Sequence, residues 1–234
     1  MITFPSKQPF VATTIFTKMS QMASDEGALN LAQGFPSFDC SDELQDLVKF
    51  YAKGHNQYAP MAGVPVLKSS IAAKTESFYG ISLDANTEVT VVSGATEAIF
   101  ASIHCCVFPG DEVIMFDPSY DAYDPIVRLA GGIPIHISLK ASNGYRIDWD
   151  ELARKITPKT KAIMVNSPHN PTGSIWNPSD LDAFAEIIKG TQILIVSDEI
   201  ISSPDNFMLA QNIQTIANTS STLTLSSLSA TDYY

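Results

Sequence analysis

The chain lacks several features that would assign it to common functional classes. It contains 3 cysteines, Cys40 and the adjacent Cys105 and Cys106, which are too few for a disulfide framework and favour a reducing compartment. No apolar run approaches the roughly 20 residues of a membrane-spanning helix, and the N-terminus has no signal-peptide h-region. These absences predict a cytoplasmic protein without a membrane segment.

Basic residues are scarce and unevenly placed. The chain has 14 lysines and arginines against 25 acidic residues, which gives a formal net charge of −11. Neither a basic cluster nor a basic helix face occurs, so a nucleic-acid or anionic-membrane partner is disfavoured. All the basic residues lie at or before Lys189, and the segment 190–234 contains none.

Several catalytic motifs are also absent. The sequence has no Gly-x-x-x-x-Gly-Lys-Ser/Thr loop for nucleoside triphosphates and no Gly-x-Ser-x-Gly elbow for a hydrolase. The histidines show no metal-ligand spacing, and we therefore expect no metal site. They are His55, His104, His136 and His169.

The hydrophobic residues that are present, 45% of the chain, suffice for a sizeable core. Their pattern alternates between strands and helices, which predicts an α/β fold with a mostly parallel sheet covered by helices on both faces. Strands are predicted near residues 88–92, 112–116, 133–139, 161–166, 192–197 and 222–228. Helices are predicted near 95–107, 121–130, 148–156, 178–189 and 208–217.

The N-terminal part of the chain shows predicted helices without the alternating strands. Helical spacing from Ile15 to Ala23 predicts an amphipathic helix, and Ser41 is a candidate N-cap for a helix over about 42–53. A further helix is predicted at about 65–79. We expect an N-terminal arm over residues 1–29 and one domain over residues 30–234.

The segment Ile163–Gly173 is the first candidate for chemistry. An apolar run ends in Asn-Ser-Pro-His-Asn-Pro-Thr-Gly, which predicts a buried strand that opens into a rigid loop presenting the Asn170 amide. A plain strand-to-helix connection is the alternative, because Asn-Pro and Thr-Gly are common turn sequences.

Three further segments end predicted strands with polar residues. Ser93-Gly94-Ala95-Thr96 opens a helix whose N-terminus suits a phosphate, although for this segment alone a simple N-cap with Glu97 in the first turn is the more common explanation. Tyr120 could lie against a flat ligand or be an ordinary half-buried tyrosine. Asp198 follows a buried strand and needs water, a partner or a cation, such as a cationic ring nitrogen.

Taken together, these segments resemble the large domain of a class I/II pyridoxal-phosphate-dependent aminotransferase, a fold-type I transferase of the methionine/kynurenine aminotransferase-like branch. The resemblance rests on short motifs in the family's order from about Leu29 to Glu199. They are Leu-Ala-Gln-Gly-Phe-Pro, Gln-Tyr-Ala-Pro, Gly-Ala-Thr-Glu-Ala, Pro-Gly-Asp-Glu-Val, Asp-Pro-Ser-Tyr, His-Asn-Pro-Thr-Gly and Ser-Asp-Glu.

The resemblance implies roles around the ring of pyridoxal 5′-phosphate. Asp198 would keep the pyridine nitrogen protonated, so that the ring can accept electrons from the substrate. Asn170 would donate a hydrogen bond to the 3′ oxygen and also border the substrate, and Tyr120 would stack on the ring face.

The resemblance also implies contacts outside the ring. Ala95 and Thr96 would bind the phosphate, Tyr58 would reach it from the second subunit of a homodimer, and Ser227 would complete the cofactor-binding set. Gly34 would contact the carboxylate of an amino-acid or 2-oxo-acid substrate through its backbone.

Two departures from the family stand out. Ile201 occupies the position of a tyrosine that helps to bind the 3′ oxygen. The Schiff-base lysine, which the family places in a Ser-Ser-Phe-Gly-Lys-like segment, has no equivalent, because Ser226-Ser227-Leu228-Ser229 is followed by Ala230. Loss of the proton shuttle alone would cost about 10²–10⁴ in rate.

The sequence therefore predicts a transaminase large domain that is incomplete at the C-terminus, without the C-terminal small domain and without a catalytic lysine. The parent reaction would transfer an amino group between an amino acid, such as methionine or an aromatic one, and a 2-oxo acid. The alternative is a non-catalytic remnant that binds the cofactor or a partner protein.

Overall fold

The structure is a computed structural model that describes residues 6–8, 11, 13–33, 38–200 and 222–227, the last six and Ile200 by their backbone only. The chain forms two compact units, one comprising the described residues up to Tyr58 and the other those from Ala59 onward. None of the helices in the described ranges is long and apolar enough to cross a membrane. The predicted division at residue 29/30 stays a prediction.

The first unit contains two short amphipathic helices. Helix α1 spans Ile15–Asp25, and its N-cap Thr14 accepts a hydrogen bond from the Thr17 amide at 3.2 Å. Helix α2 spans Asp42–Tyr51, and Ser41 caps it as predicted by accepting from the Leu44 amide at 3.3 Å. The apolar side chains of both helices are at least partly exposed.

The second unit alternates helices and strands. Its helices are α3 (Pro65–Tyr79), α4 (Gly94–Cys106), α5 (Tyr123–Leu129), α6 (Trp149–Lys155) and α7 (Pro178–Ile188), with a single 3-10 turn at Ala141–Asn143. Its strands are β1 (Glu112–Asp117), β2 (Ile133–Ser138), β3 (Thr160–Asn166), β4 (Leu194–Ile200) and β5 (Thr222–Ser227).

The strands form one sheet in the order β2-β1-β3-β4-β5, and every neighbouring pair is parallel. The chain leaves β1 toward one edge of the sheet to make β2 and then crosses back to make β3 on the other side of β1. Such a reversal separates the connections on the two sides and opens a crevice at the carboxyl ends of the strands. The β1 and β3 ends are therefore where a ligand site is expected.

Each face of the sheet carries its own core, as expected for parallel strands buried on both sides. On one face, α4 and α5 cover β1, β3 and β4, and Ile99 and Ile103 of α4 are fully buried there. On the other face, α6 and α7 cover the sheet with Leu152 and Phe184. The predicted α/β fold with a parallel sheet is confirmed.

The strand predicted at 88–92 is wrong. Residues 89–92 form no strand; the Val91 amide donates to the Ala62 carbonyl at 3.1 Å, and the Val92 carbonyl accepts from the Gly94 amide at 3.0 Å. A strand needs a ladder of such bonds, and no described strand lies beside this segment. The helix predicted at 208–217 lies outside the described residues.

Candidate functional site

The candidate site lies at the carboxyl ends of β3 and β4. Asn166, the last residue of β3, is in register with Asp198 of β4. Its side-chain Nδ2 donates to the Asp198 carbonyl oxygen at 2.8 Å, and its Oδ1 accepts from the Asn170 amide at 2.6 Å. One asparagine therefore fixes the start of the loop that carries Asn170 against the strand that carries Asp198.

The Asp198 carboxylate is buried, with 9% of its surface exposed. The Tyr123 hydroxyl, from the first turn of α5, donates to its Oδ2 at 2.5 Å. Burial raises the pKa of the Asp198 carboxyl above its ordinary value, and the hydrogen bond from Tyr123 opposes part of that rise. Burial, together with the Asp198 charge, also raises the pKa of the Tyr123 phenol, which keeps it a neutral donor.

Asp198 has no cationic partner among the residues that the structure describes. A buried carboxylate held only by a neutral phenol is unfavourable when ionised. The surroundings of the Asp198 carboxylate thus fit a ligand that brings one positive charge, such as a protonated aromatic nitrogen. A flat cationic ring would both neutralise the carboxylate and fill the crevice.

Tyr120 lies beside this carboxylate pair. Its ring meets that of Tyr123 edge-on, with centroids 5.7 Å apart and planes at 72°. It is half-buried against the core that contains Ile99 of α4. The ring is held at the carboxyl edge of the sheet, which is compatible with stacking on a flat ligand and with an ordinary packed tyrosine.

Ala95 and Thr96 lie in the first turn of α4, directly after Gly94, whose φ of +84° is readily adopted only by glycine. Thr96 is exposed, and the Ser93 side chain makes no capping bond. The Glu97 carboxylate instead accepts from the Ser93 amide. This turn combines features of the predicted phosphate site with features of the simple cap.

The remaining predicted residues are less closely defined. Tyr58 is fully exposed at the end of the first unit. Ser227 ends β5, where only the backbone is described. Gly34, Ile201 and Ala230 lie outside the described residues.

The sequence pattern did not point to two residues that connect the parts of the site, Tyr123 and Asn166. Tyr123 was visible only as the second tyrosine of Asp-Pro-Ser-Tyr-Asp-Ala-Tyr, and its contact with Asp198 joins positions 75 residues apart. Asn166 gave a clearer signal, because it is a polar residue, only 5% exposed, at the end of an apolar strand. A buried amide there must find partners, and it finds them in Asn170 and Asp198.

A separate cavity of about 220 Å³ lies beside the α6 and α7 face and shares only Asn166 with the network above. Asp198, Tyr120 and the first turn of α4 are not part of it. Its aromatic walls are Phe116, Tyr145, Trp149 and Trp176. Across the described ranges, no three metal-ligating side chains converge.

A parallel sheet covered on both faces, with a buried and uncompensated carboxylate at the carboxyl end of β4, is compatible with a site for a flat ligand that carries a positive charge. Comparison with known proteins gives the family. The model of aminotransferase class I and II matches residues 26–230, and the chain belongs to that family. Its members are enzymes that use pyridoxal 5′-phosphate, and the fold-type I architecture is confirmed with it.

Individual relatives agree with this assignment. The chain is 46% identical over 196 residues to the methionine aminotransferase of Escherichia coli strain K12, covering 83% of this chain and 50% of that protein. It is 34% identical over 199 residues to human kynurenine–oxoglutarate transaminase 3, covering 80% and 44%. The chain thus spans about half the length of these curated relatives.

Solved structures show the same likeness. The crystal structure of YbdL from Escherichia coli, described as having a methionine aminotransferase function, superimposes with a TM-score of 0.88 at 40% identity, over 96% of this chain and 60% of that one. The N-succinyldiaminopimelate aminotransferase of Mycobacterium tuberculosis superimposes with a TM-score of 0.78 at 40% identity, over 84% and 52%.

Proposed function

We propose that this chain provides the cofactor-binding part of a pyridoxal-phosphate-dependent aminotransferase that acts on an amino acid and a 2-oxo acid. The observation that carries the proposal is the buried Asp198 carboxylate, which meets a neutral phenol on one side and is linked through Asn166 to the Asn170 loop. This arrangement provides a negative charge for a ring nitrogen and a fixed amide for a ring oxygen.

Each residue then has a role toward the cofactor. Asp198 holds a proton on the ring nitrogen, Asn170 donates to the 3′ oxygen, and Tyr120 limits the ring on one face. Ala95 and Thr96 offer the free end of α4 to the phosphate. When bound, pyridoxal 5′-phosphate supplies an electron-accepting ring that stabilises negative charge on the substrate.

The names of the relatives support a proposal for the substrate, and the resemblance to the family supports one for the assembly. Methionine or an aromatic amino acid is the proposed amino donor, because the similar proteins are named for methionine and kynurenine. The backbone of Gly34 and the side chain of Asn170 would contact the substrate, and Tyr58 would enter the phosphate site of a second copy in a homodimer. We place the protein in the cytoplasm.

This chain by itself would not catalyse transamination, because it has no lysine after Lys189 and carries Ala230 at the matching position. A non-catalytic protein that binds the cofactor or a partner is therefore the second candidate. The retained Asp198, Asn166 and Asn170 network favours cofactor binding over general loss of function.

One experiment separates the two candidates. The purified chain is incubated with pyridoxal 5′-phosphate, reduced with borohydride and mapped by mass spectrometry. We expect saturable binding without specific reductive labelling of one lysine. This result would support the candidate that binds the cofactor without catalysing transamination. Stoichiometric labelling of a single lysine, abolished by Asp198→Asn, would support catalysis. No saturable binding at all would overturn the proposal that this is a cofactor site.

A further inference from the structure

His136, on β2, lies between two carboxylates that belong to different elements. Its Nε2 lies 3.1 Å from Oδ2 of Asp124 on α5. Its Nδ1 lies 2.7 Å from Oδ2 of Asp117 at the end of β1, within ion-pair distance, although the N–H direction is not aligned for a hydrogen bond. The ring thus bridges the strand end to the helix.

Both contacts require a proton on the ring nitrogen concerned. Only the imidazolium carries N–H groups on both nitrogens, whereas the neutral ring would turn a lone pair toward one of the two carboxylates. The bridge is therefore complete when His136 is protonated and is weakened at one end when it is neutral.

Other charged groups surround this bridge. On α5, Arg128 holds Asp124 with two hydrogen bonds of 2.6 and 3.0 Å. On α6, Lys155 donates to the His136 carbonyl at 2.9 Å and lies 3.7 Å from Glu151. His169, in the loop after β3, interacts electrostatically with Asp117. Arg128 and Lys155 bond to Asp124 and to the backbone, so neither replaces the ring between the two carboxylates.

The bridged carboxylates stand at the two ends of one short segment, residues 118–123. That segment carries Tyr120 and Tyr123, whose rings contact each other, and Tyr123 donates to Asp198. Fixing the two ends of the segment therefore fixes the positions of both tyrosines, although His136 itself contacts neither of them.

We propose that His136 is a positioning residue: its imidazolium ties Asp117 to Asp124 and so fixes Tyr120 and Tyr123 around the cofactor ring, making cofactor affinity dependent on His136 protonation. The inference rests on the proposed function, because it concerns the same cofactor site. Its signature is a contribution to binding that depends on pH, because only the charged ring carries N–H groups on both nitrogens.

The test measures binding of pyridoxamine 5′-phosphate, which has no aldehyde and cannot label surface lysines. Dissociation constants are measured by fluorescence for the wild type and His136→Gln across about pH 5 to 8. We expect the variant to bind about tenfold more weakly than the wild type at the acidic end and equally well at the basic end. His104→Gln, on an exposed histidine that bonds only within α4 at 3.0 Å, is the matched control and should give a flat ratio.

A second readout needs no ligand. In protein labelled with ¹³C-tyrosine, His136→Gln and Asp124→Asn should each shift the ring resonances of Tyr120, which is four residues from Asp124, whereas His104→Gln should leave them unchanged. Asp124→Asn also serves if His136→Gln fails to fold.

The outcomes are distinct. If the wild type binds the probe and the variant-to-wild-type ratio is constant with pH, the positioning role is overturned while the cofactor site stands. If nothing binds but the tyrosine resonances respond, the proposed function fails while the bridge stands. Neither binding nor a resonance shift would overturn both.

Discussion

At the scale of single residues, two consecutive carboxylates on β4 meet different surroundings. Asp198 points to the α5 face and meets Tyr123, whereas Glu199, 6% exposed, points to the opposite face and accepts from the Ser197 hydroxyl at 2.7 Å. Burial raises the pKa of both carboxyls above their ordinary values. Their consequences differ, because only Asp198 lies on the face that carries Tyr123, beside the Asn166 and Asn170 network.

The first prediction concerns the ring nitrogen partner. Asp198→Asn should weaken pyridoxamine 5′-phosphate binding by about 10- to 100-fold, because a charge-assisted hydrogen bond is replaced by a neutral one. Fluorescence titration measures the loss. Glu199→Gln, the neighbouring buried acid on the other face, is the control and should bind within about twofold of the wild type. Equal losses in both variants would show that the effect is general destabilisation.

The second prediction concerns pH and stability. Above the unfolded-state pKa of Glu199 the unfolded chain releases its proton while the folded protein retains it, so rising pH favours unfolding until the raised folded pKa is passed. Glu199→Gln should therefore gain stability relative to the wild type as the pH rises above about 4, by at most about 1.4 kcal/mol per pH unit.

Urea denaturation at several pH values measures that difference. Glu186→Gln, at an exposed position on α7 where the glutamate pairs with Lys189 at 3.0 Å, is the matched control and should show no such gain. A Glu199→Gln variant that loses relative stability with rising pH would contradict the assignment.

The sequence pattern is enough to predict that Asp198 and Asn170 lie at the same edge of the sheet, because Asp198 is near the end of one apolar strand and Asn170 is in the loop after another. Their roles toward a cofactor stay a prediction. Tyr123 could not be predicted, because its contact depends on how α5 packs over β4, which no local pattern encodes. His136 was hidden for the same reason, since both of its carboxylate partners come from other elements.

At the scale of elements, α7 shows how the site loop is terminated. Asn177 and Asp180 form a capping box, in which the Asn177 side chain accepts from the Asp180 amide at 3.1 Å and the Asp180 carboxylate accepts from the Asn177 amide at 2.9 Å. Pro178 occupies the first helical turn, where its missing N–H costs nothing. The helix thus begins at a fixed residue after the Asn170 loop.

The third prediction tests that cap. Asn177→Ala should lower the free energy of unfolding by about 1 kcal/mol, because the Asp180 amide loses the Asn177 side-chain oxygen and keeps only the Asn177 carbonyl as an acceptor. Asn177→Ser keeps an oxygen in place and should lower it by only a few tenths. Chemical denaturation measures both, and equal losses in the two variants would rule out capping as the cause.

The sequence predicts the positions of the strands better than it predicts which strands pair with each other. Each of the strands β1 to β5 lies within or close to a predicted range, because apolar runs between turns are a local signal. The failure at 88–92 has a different origin. Strand propensity in Val89–Val92 is real, but strand formation depends on a neighbour that no property of the segment itself can supply.

At the scale of the whole molecule, the proposed homodimer makes a concentration-dependent prediction. Tyr58 is fully exposed, and the resemblance to the family implies that it reaches the phosphate site of a second copy. Tyr58→Phe should weaken pyridoxamine 5′-phosphate binding about tenfold at protein concentrations where the chain is dimeric and leave it unchanged where the chain is monomeric. Sedimentation equilibrium establishes the state, and fluorescence gives the affinity.

Tyr51→Phe, on another exposed tyrosine of the first unit, is the control and should not affect binding at any concentration. A loss for Tyr58→Phe that is equally large in the monomer would contradict a role across the subunit boundary.

The order of the strands in the sheet also sets the order in which a growing chain can build it. Strands β1, β2 and β3 can pair with one another once all three have been synthesised. The edge of β3 that faces away from β1 has no neighbour until β4 is synthesised, roughly 30 residues later. At about 5–20 residues per second, a ribosome leaves the backbone N–H and C=O groups of that edge unpaired for a few seconds. During synthesis, the edge that will hold Asn166 against Asp198 is therefore open to mispairing with a neighbouring nascent chain.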